Sequence, residues 1–103
     1  MTVQYFDQDV KNFVEKTDDR IRSRVVRTIT LLEKFGHQIK MPYSKKINDR
    51  LFELRTMGNP AVRIFYTFYR GEAILLHGYA KKTQNLSRQE LAHALKKLNR
   101  LYP

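Results

Sequence analysis

Three neighbouring segments of the sequence carry cationic and aromatic side chains of the kinds that hold a phosphodiester. The segments are LFELRTM (residues 51–57), AVRIFYTFY (61–69) and AILLHGYAK (73–81). Arginine forks onto phosphate oxygens, and tyrosine or phenylalanine rings stack on unpaired bases. Fixed cations also stabilise the charge that develops on a phosphoryl group when a neighbouring 2′-hydroxyl attacks it. These residue types indicate an RNA ligand, which the protein either binds or cleaves.

The alternation of side chains predicts that each segment is a β-strand. Turn residues at 58–60 and 70–72 separate the strands, so we expect successive antiparallel hairpins. In that register one open face of the sheet collects Glu53, Arg55, Arg63, Tyr69, His77, Tyr79 and Lys81. Arg63 is unexpected in a strand interior: it either serves the site or lies across the open face, paired with Glu53. In the last strand we expect Ile74, Leu76, Gly78 and Ala80 on one face, and Leu75, His77, Tyr79 and Lys81 on the other.

Cleavage of RNA also needs a general base and a general acid. His77 is the side chain of these strands whose ordinary pKa lies near neutrality, and a half-buried strand histidine is its alternative role. Surrounding cations could instead lower the pKa of a lysine or a tyrosine enough for it to serve. The three histidines lack metal-ligand spacing with carboxylates, the chain has no Cys, and no Gly-rich phosphate loop occurs, so we expect no metal and no organic cofactor.

The charge of the chain is concentrated in its second part. Residues 1–39 hold seven basic and six acidic side chains, whereas residues 40–103 hold thirteen basic and four acidic ones, within a total of +10. Such a field favours a polyanionic partner, nucleic acid first. The sequence shows no signal peptide and no apolar run long enough to span a membrane, so we expect a cytoplasmic protein.

The remaining elements must position these strands. We expect an edge strand over residues 2–6, a helix capped by Asp7, and a second helix that begins near residues 17–19 and ends at Gly36. Residues 37–50 show no clean period and form a connector. Ser87 and Glu90 form a capping box before a C-terminal helix. The order predicts one α+β domain over residues 1–103: an antiparallel sheet with two N-terminal helices packed on it and a C-terminal helix. Arg20, Arg24 and Arg27 are expected on a solvated helix face.

The stretches LFELR, VRIFYTF and LLHGYAKKTQNLSRQELAHA resemble the HigB-like branch of the RelE/ParE toxins of bacterial type II toxin–antitoxin systems. The resemblance covers nearly the whole chain in element order, and its specific part is residues 51–94. It implies a RelE-like, microbial-ribonuclease-like α+β fold and metal-independent cleavage of mRNA, usually in the A site of the 70S ribosome. It also implies a small antitoxin partner, often with a helix-turn-helix domain.

The same resemblance suggests which residues form the site. Arg55, Arg63, Lys81 and Lys82 match its basic positions, and Tyr66 and Tyr79 match aromatic positions. With His77 these give the catalytic candidates Arg63, Arg55, Lys82, Lys81, Tyr79 and His77, and the RNA-binding candidates Tyr66, Tyr69, Thr83 and Gln84. The chain departs from the RelE pattern where Phe52 and Glu53 replace lysines and where no tyrosine follows the basic pair. The general base therefore stays open.

Two other functions remain open at this point. On the same fold, the ParE branch binds DNA gyrase without acting as a nuclease, and broken DNA instead of cleaved mRNA would identify it. A plain RNA-binding module that represses translation without cutting is the second alternative, and an activity assay separates it from a nuclease.

Overall fold

The computed structural model describes residues 1–82 and 86–103, which form an α+β domain with a five-stranded sheet and three helices. The strands are β1 Val3–Tyr5, β2 Ser44–Lys46, β3 Phe52–Thr56, β4 Ala61–Tyr69 and β5 Glu72–Lys81. The helices are α1 Gln8–Glu15, α2 Asp19–Phe35 and α3 Arg88–Leu101, and a 3₁₀ turn, Gly36–Gln38, follows α2. The strand order across the sheet is β1-β5-β4-β3-β2.

The sheet is mixed, so the prediction of an antiparallel sheet is correct only for β2 to β5. Strand β1 runs parallel to β5, with Val3 opposite Ala73. A three-residue strand at the edge shows no pattern that fixes its neighbour or its direction. Strand β2 is also short, and it lies within the connector for which no period was visible. Its lysines are exposed on the opposite edge, where charged side chains discourage pairing with another chain.

The helix ends follow from local chemistry. The Asp7 carboxylate accepts a hydrogen bond from the Val10 amide, and the Asp18 carboxylate accepts one from the Ile21 amide. Gly36 ends α2 at a φ of +54°, a conformation that side chains disfavour. Ser87 caps α3 through the Glu90 amide. The caps predicted at Asp7, Gly36 and Ser87 are therefore confirmed, and Asp18 lies within the predicted start of the second helix. The Glu90 carboxylate contacts His77 instead of closing the capping box.

Helices lie on both faces of the sheet. Val10 and Val14 of α1 and Val25 and Leu32 of α2 pack on one face, in a core cluster with Leu54, Val62, Ile64, Tyr66, Ala73 and Leu75. Ala94 and Leu98 of α3 pack on the other face, in a cluster with Leu51, Phe65, Ile74, Leu76 and Tyr79. None of the helices in the described part of the chain is long and apolar enough to cross a membrane.

A β-bulge in β5 corrects the predicted facing of that strand. Phe65 lies opposite His77 and Tyr66 lies opposite Leu75, so Leu76 is an extra residue in the ladder. Leu76 therefore packs towards α3, as His77 does. Leu75 joins the α1–α2 side, and Gly78 lies on that side against the Phe13 ring. The prediction that Leu75 faces with His77, and Leu76 with Gly78, is wrong because a bulge shifts the alternation by one residue. Beyond the bulge, His77, Tyr79 and Lys81 stay on the α3 side of the sheet.

Candidate phosphate-binding site

The strand register brings the predicted cations together at one end of the face that α3 partly covers. Arg55 lies opposite Arg63, and Arg63 lies opposite Tyr79 on the next strand. Ala61, at the start of β4, lies opposite Lys81. Antiparallel neighbours stand about 4.5–5.5 Å apart at Cα, so these side chains share one small area that spans three strands.

A concave surface of about 400 Å³ opens at this place. It is lined by Arg55, Gly58, Asn59, Ala61, Arg63, Lys81 and Lys82. We call it the cationic cavity. Four of its lining side chains are basic, and none of the described residues that line it is acidic. The turn after β3 completes the wall, where Gly58 adopts a φ of +124° that side chains rarely tolerate. Such a cavity suits a phosphate group, because each phosphate oxygen can meet a charged donor.

A buried carboxylate holds the two arginines of the cavity. Glu53 is 3% exposed, and its Oε1 lies 3.7 Å from Arg55 Nε and 3.8 Å from Arg63 Nε. Its Oε2 accepts a hydrogen bond of 3.4 Å from the Tyr79 hydroxyl. The Tyr79 ring stacks on Phe65 at 5.8 Å between centroids. Glu53 thus pairs its charge with both guanidinium groups, at distances longer than a hydrogen bond, and accepts the hydrogen bond of the tyrosine.

Arg63 is more deeply buried than an open sheet face implies. Its residue exposure is 6%, and its Nη1 donates to the backbone carbonyls of Val62 and Thr56 at 3.2 and 3.4 Å. The expectation of an exposed Arg63 is therefore wrong, because it lies between Arg55 of β3 and Tyr79 of β5, with its guanidinium turned onto the backbone. Arg63 pairs with Glu53, as one interpretation predicted, and it also lines the cationic cavity, where a functional role would place it.

The cluster shifts the pKa values of its members in different directions. Burial, and then the charge of Arg55, lowers the pKa of Arg63. Burial and the charge of Arg63 likewise lower the pKa of Lys81. Burial, followed by the charge of Glu53, raises the pKa of Tyr79 to about 12. The idea that cations lower the pKa of a lysine therefore agrees with Lys81, where they add to the effect of burial, whereas the pKa of Tyr79 rises because burial and then the negative charge of Glu53 disfavour the tyrosinate.

Two of the predicted site residues in the strands, His77 and Tyr69, lie away from the cationic cavity. His77 contacts Glu90 through its Nε2 and stacks on His93 at 5.1 Å, between β5 and α3 and outside the cationic cavity. Tyr69 is at the far end of β4, where it packs on Tyr102. Thr83 and Gln84 lie outside the described residues.

Tyr66 belongs to the core, although it was expected to bind RNA. It is 0% exposed on the α1–α2 side of the sheet, and its hydroxyl is 2.6 Å from Ser44 Oγ. A base cannot stack on a ring without exposed surface. The strand alternation already placed Tyr66 on the face opposite Arg63, so the sequence contained the signal for this correction.

Several residues near the cavity were not predicted. Lys45 of β2 lies opposite Glu53, and its charge contributes to the lowered pKa of Lys81. Arg24 of α2 lies against Gly58, at a place where a Cβ atom on residue 58 would collide with the guanidinium. For Lys45, the sequence offered only a weak signal, a pair of lysines at 45 and 46 in a stretch without periodicity. Nothing in the local pattern of α2 distinguished Arg24 from its solvated neighbours.

Within residues 1–82 and 86–103, no group of three or more His, Asp or Glu side chains is arranged to hold a metal ion. The cationic cavity itself offers nitrogen donors that carry positive charge, which bind anions and repel metal ions. The chemistry of the donor set therefore points to an anionic group on the ligand.

No curated protein matches the chain. Residues 12–99 match the family described as phage derived protein Gp49-like (DUF891). This is a RelE-like, toxin-like family related to the toxins of toxin–antitoxin systems. The matched range contains the strands that build the cationic cavity, together with α2 and nearly all of α3. Since the match covers most of the chain, this protein belongs to the Gp49-like family.

Proposed function

We propose that this protein is the toxin of a type II toxin–antitoxin system and that it inhibits translation by cleaving mRNA. The observation that carries the proposal is the cationic cavity, in which Arg55, Arg63, Lys81 and Lys82 surround a space of about 400 Å³ at the end of three strands. Membership of a family related to such toxins supports the same assignment. We further propose the HigB-like branch, on the motifs of residues 51–94.

The two arginines bind the scissile phosphate in this proposal. Both guanidinium groups are held from below by Glu53, so they reach the phosphate without first losing side-chain freedom. Preorganised donors of this kind stabilise the charge that grows on the phosphoryl oxygens in the transition state. Lys81 and Lys82 add positive charge at the rim of the cavity.

The reaction is an internal transfer. The 2′-oxygen attacks the adjacent phosphorus, the bond to the 5′-oxygen of the next nucleotide breaks, and a 2′,3′-cyclic phosphate and a 5′-hydroxyl are formed. Lys81 has a lowered pKa and, in its neutral form, accepts the proton of the 2′-hydroxyl. Tyr79 has a pKa raised to about 12 and therefore stays protonated; we assign it as the donor to the leaving oxygen, for which its hydroxyl must exchange its hydrogen bond with Glu53 for one with that oxygen. Neither role involves His77.

The charge supports RNA as the substrate and an acidic partner, and the resemblance to HigB-like toxins supplies their more specific form. A basic protein of 103 residues with a net charge of +10 attracts RNA, and we propose translated mRNA in the A site of the 70S ribosome as the substrate. An antitoxin, in our proposal with a helix-turn-helix domain, would silence the toxin by laying an acidic segment on the same field. Such a segment gains electrostatic attraction and excludes RNA at the same time.

The proposal is tested by brief expression of the chain alone, followed by mapping of transcript 5′ ends. We expect growth arrest and new ends within translated mRNA. Arg63→Ala should reduce cleavage by about 10²–10³-fold, the usual cost of one preorganised donor. Arg63→Lys keeps the positive charge but loses the planar pair of donors, so its cleavage rate should lie between those of the parent and Arg63→Ala. Intact mRNA together with gyrase-dependent DNA breaks would refute the proposal in favour of the ParE type.

A matched pair of exposed lysines separates the site from the fold. Lys82 lines the cationic cavity, whereas Lys96 is exposed on α3 away from it. Lys82→Gln should slow cleavage severalfold, and Lys96→Gln should leave it unchanged, while both variants melt like the parent. Equal cleavage by the two variants would place the reaction outside this cavity.

The second candidate is an RNA-binding repressor that does not cut. The raised pKa of Tyr79 and the position of His77 outside the cavity favour it, because two of the predicted acid–base groups are then unable to take a proton from the 2′-hydroxyl there. Translation that stops while every transcript remains intact would identify this function.

A further inference from the structure

A second cavity adjoins the cationic cavity on the side of α2. It has a volume of about 280 Å³, and its lining includes Arg24, Arg27, Leu31, Tyr43, Arg55 and Met57. The Tyr43 ring is 43% exposed, and Met57 is exposed beside it. An exposed aromatic ring next to apolar side chains and arginines is a combination that neither the packing of the core nor the phosphate site requires.

The two cavities form one continuous surface. Arg55 lines both of them, and the chain steps from the second into the first between Met57 and Gly58. Arg24 lies against Gly58, so its guanidinium stands at the boundary. The Arg55 amide donates to the Tyr43 carbonyl at 2.8 Å, which fixes Tyr43 beside the arginine that holds the phosphate. A ligand that occupies the first cavity therefore reaches the second without leaving the surface.

We propose that the second cavity is a nucleotide subsite: it takes an unpaired base of the bound RNA on the Tyr43 ring, and Arg24 and Arg27 hold the phosphate beyond that base. This inference rests on the proposed binding of RNA and adds the position of a neighbouring nucleotide. Base–aromatic stacking next to a basic groove is how proteins bind single-stranded RNA.

The chemistry of the cavity favours an RNA strand over an acidic peptide. An unstacked base presents a flat apolar face to Tyr43 and Met57, and each base carries a phosphate within one nucleotide of it. The floor offers few donors for reading base identity, because the Thr28 hydroxyl donates to the Arg24 carbonyl and accepts from the Thr56 hydroxyl. The subsite therefore holds a base by stacking and fixes the strand in place, with little discrimination among bases.

The test measures binding of a short single-stranded RNA that carries a 2′-deoxy nucleotide at the cut position, so that binding is read without cleavage. A series of the same RNA contains one abasic nucleotide at each position in turn. Tyr43→Ala should lower the affinity for the intact RNA about tenfold or more, as expected for the loss of one stacked base. Tyr43→Phe should bind like the parent. With the abasic nucleotide at one particular position, the parent and Tyr43→Ala should bind equally.

Tyr5→Ala is the matched control, since Tyr5 is 37% exposed on β1 at the opposite edge of the sheet. It should bind every RNA like the parent. RNA binding by Tyr43→Ala equal to that of the parent overturns the subsite while the proposed function stands. A parent that binds none of these RNAs also overturns the subsite, whereas the proposed function is decided separately by the mapping of transcript 5′ ends. Two results together would identify a protein-docking surface and would also overturn the subsite. Tyr43→Ala would lose binding to a polyglutamate peptide, and its affinity for RNA would not depend on the position of the abasic nucleotide.

Discussion

Replacing Glu53 by glutamine removes a buried negative charge that Arg55 and Arg63 share. The change keeps the size of the side chain and leaves an oxygen that can still accept the hydrogen bond from Tyr79. Only the charge is lost, so the experiment isolates what the carboxylate does for the two arginines. We expect a large loss of stability and a change in the ionisation of Tyr79 and Lys81.

The loss of stability can be estimated from the geometry. At an effective dielectric constant of about 20, unit charges separated by 3.7 and 3.8 Å attract each other by about 4 kcal/mol in each pair. The neutral side chain recovers part of this amount, because burying an uncharged amide costs less than burying a carboxylate. Removing one member of a buried ion pair costs about 3–5 kcal/mol, so we expect a loss of about 3 kcal/mol. For a domain of this size that is a decrease in Tm of roughly 12–24 °C.

The ionisation of Tyr79 gives an independent measurement. Glu53 raises the pKa of Tyr79 through its charge and through its hydrogen bond, so Glu53→Gln should move that pKa down from about 12 towards 10. The ultraviolet titration of tyrosinate detects the change, with Tyr79→Phe in each background to identify the signal. The carboxylate also raises the pKa of Lys81, so the same variant should lower the pKa of that amine further.

Glu33→Gln is the control, because Glu33 is exposed on α2 and a surface substitution changes stability by about 0.5 kcal/mol or less. Thermal and urea unfolding of both variants should show a loss only for Glu53→Gln. The account of the buried cluster would be refuted if the free energy of unfolding of Glu53→Gln lay within about 1 kcal/mol of the parent value and the pKa of Tyr79 stayed near 12.

Two further predictions concern the acid–base groups. Lys81→Gln should remove the rise of the cleavage rate with pH. A lysine with a lowered pKa becomes neutral as the pH approaches that pKa, so the parent should cleave faster at higher pH, whereas the variant should be slow at every pH. A variant with the same pH profile as the parent would assign the base elsewhere. His77→Gln should reduce the free energy of unfolding by about 1 kcal/mol or less, measured by melting, because its contact with Glu90 is lost. The single-turnover cleavage rate should stay within about twofold of the parent. A hundredfold loss of cleavage would show that His77 takes part in the reaction.

The sequence predicted the elements whose signals are local. Asp7 and Ser87 cap helices because a short polar side chain next to a periodic segment can bond the first free amides of the helix. The alternation in β4 placed Arg63 and Tyr66 on opposite faces, as the structure does. Features that depend on distant partners could not be predicted in this way: β1 lies parallel to β5, and three-residue β2 completes the other edge.

The bulge at Leu76 shows why the site was only partly predictable. A hydrophobic run such as Ala73 to Leu76 is buried on both faces, so its composition is the same whichever way each side chain points. The alternation is interpretable again only after Gly78, where polar residues return. For that reason Tyr79 and Lys81 were placed correctly beside Arg63, whereas the partners of Leu75 and Leu76 were not. The second cavity was invisible because α2, β3 and the connector each supply only part of it.

The burial of Arg63 explains how one residue can satisfy two interpretations that looked exclusive. An arginine paired with a buried carboxylate and with two backbone carbonyls is a structural residue by every local measure. The same contacts leave part of its planar fork facing the cavity and prevent it from turning away. A donor that is already fixed and partly desolvated stabilises a developing charge better than a mobile surface lysine, because nothing has to reorganise when the charge appears. In the proposed site, the structural pair with Glu53 is therefore the means by which the fold prepares Arg63 for a phosphate.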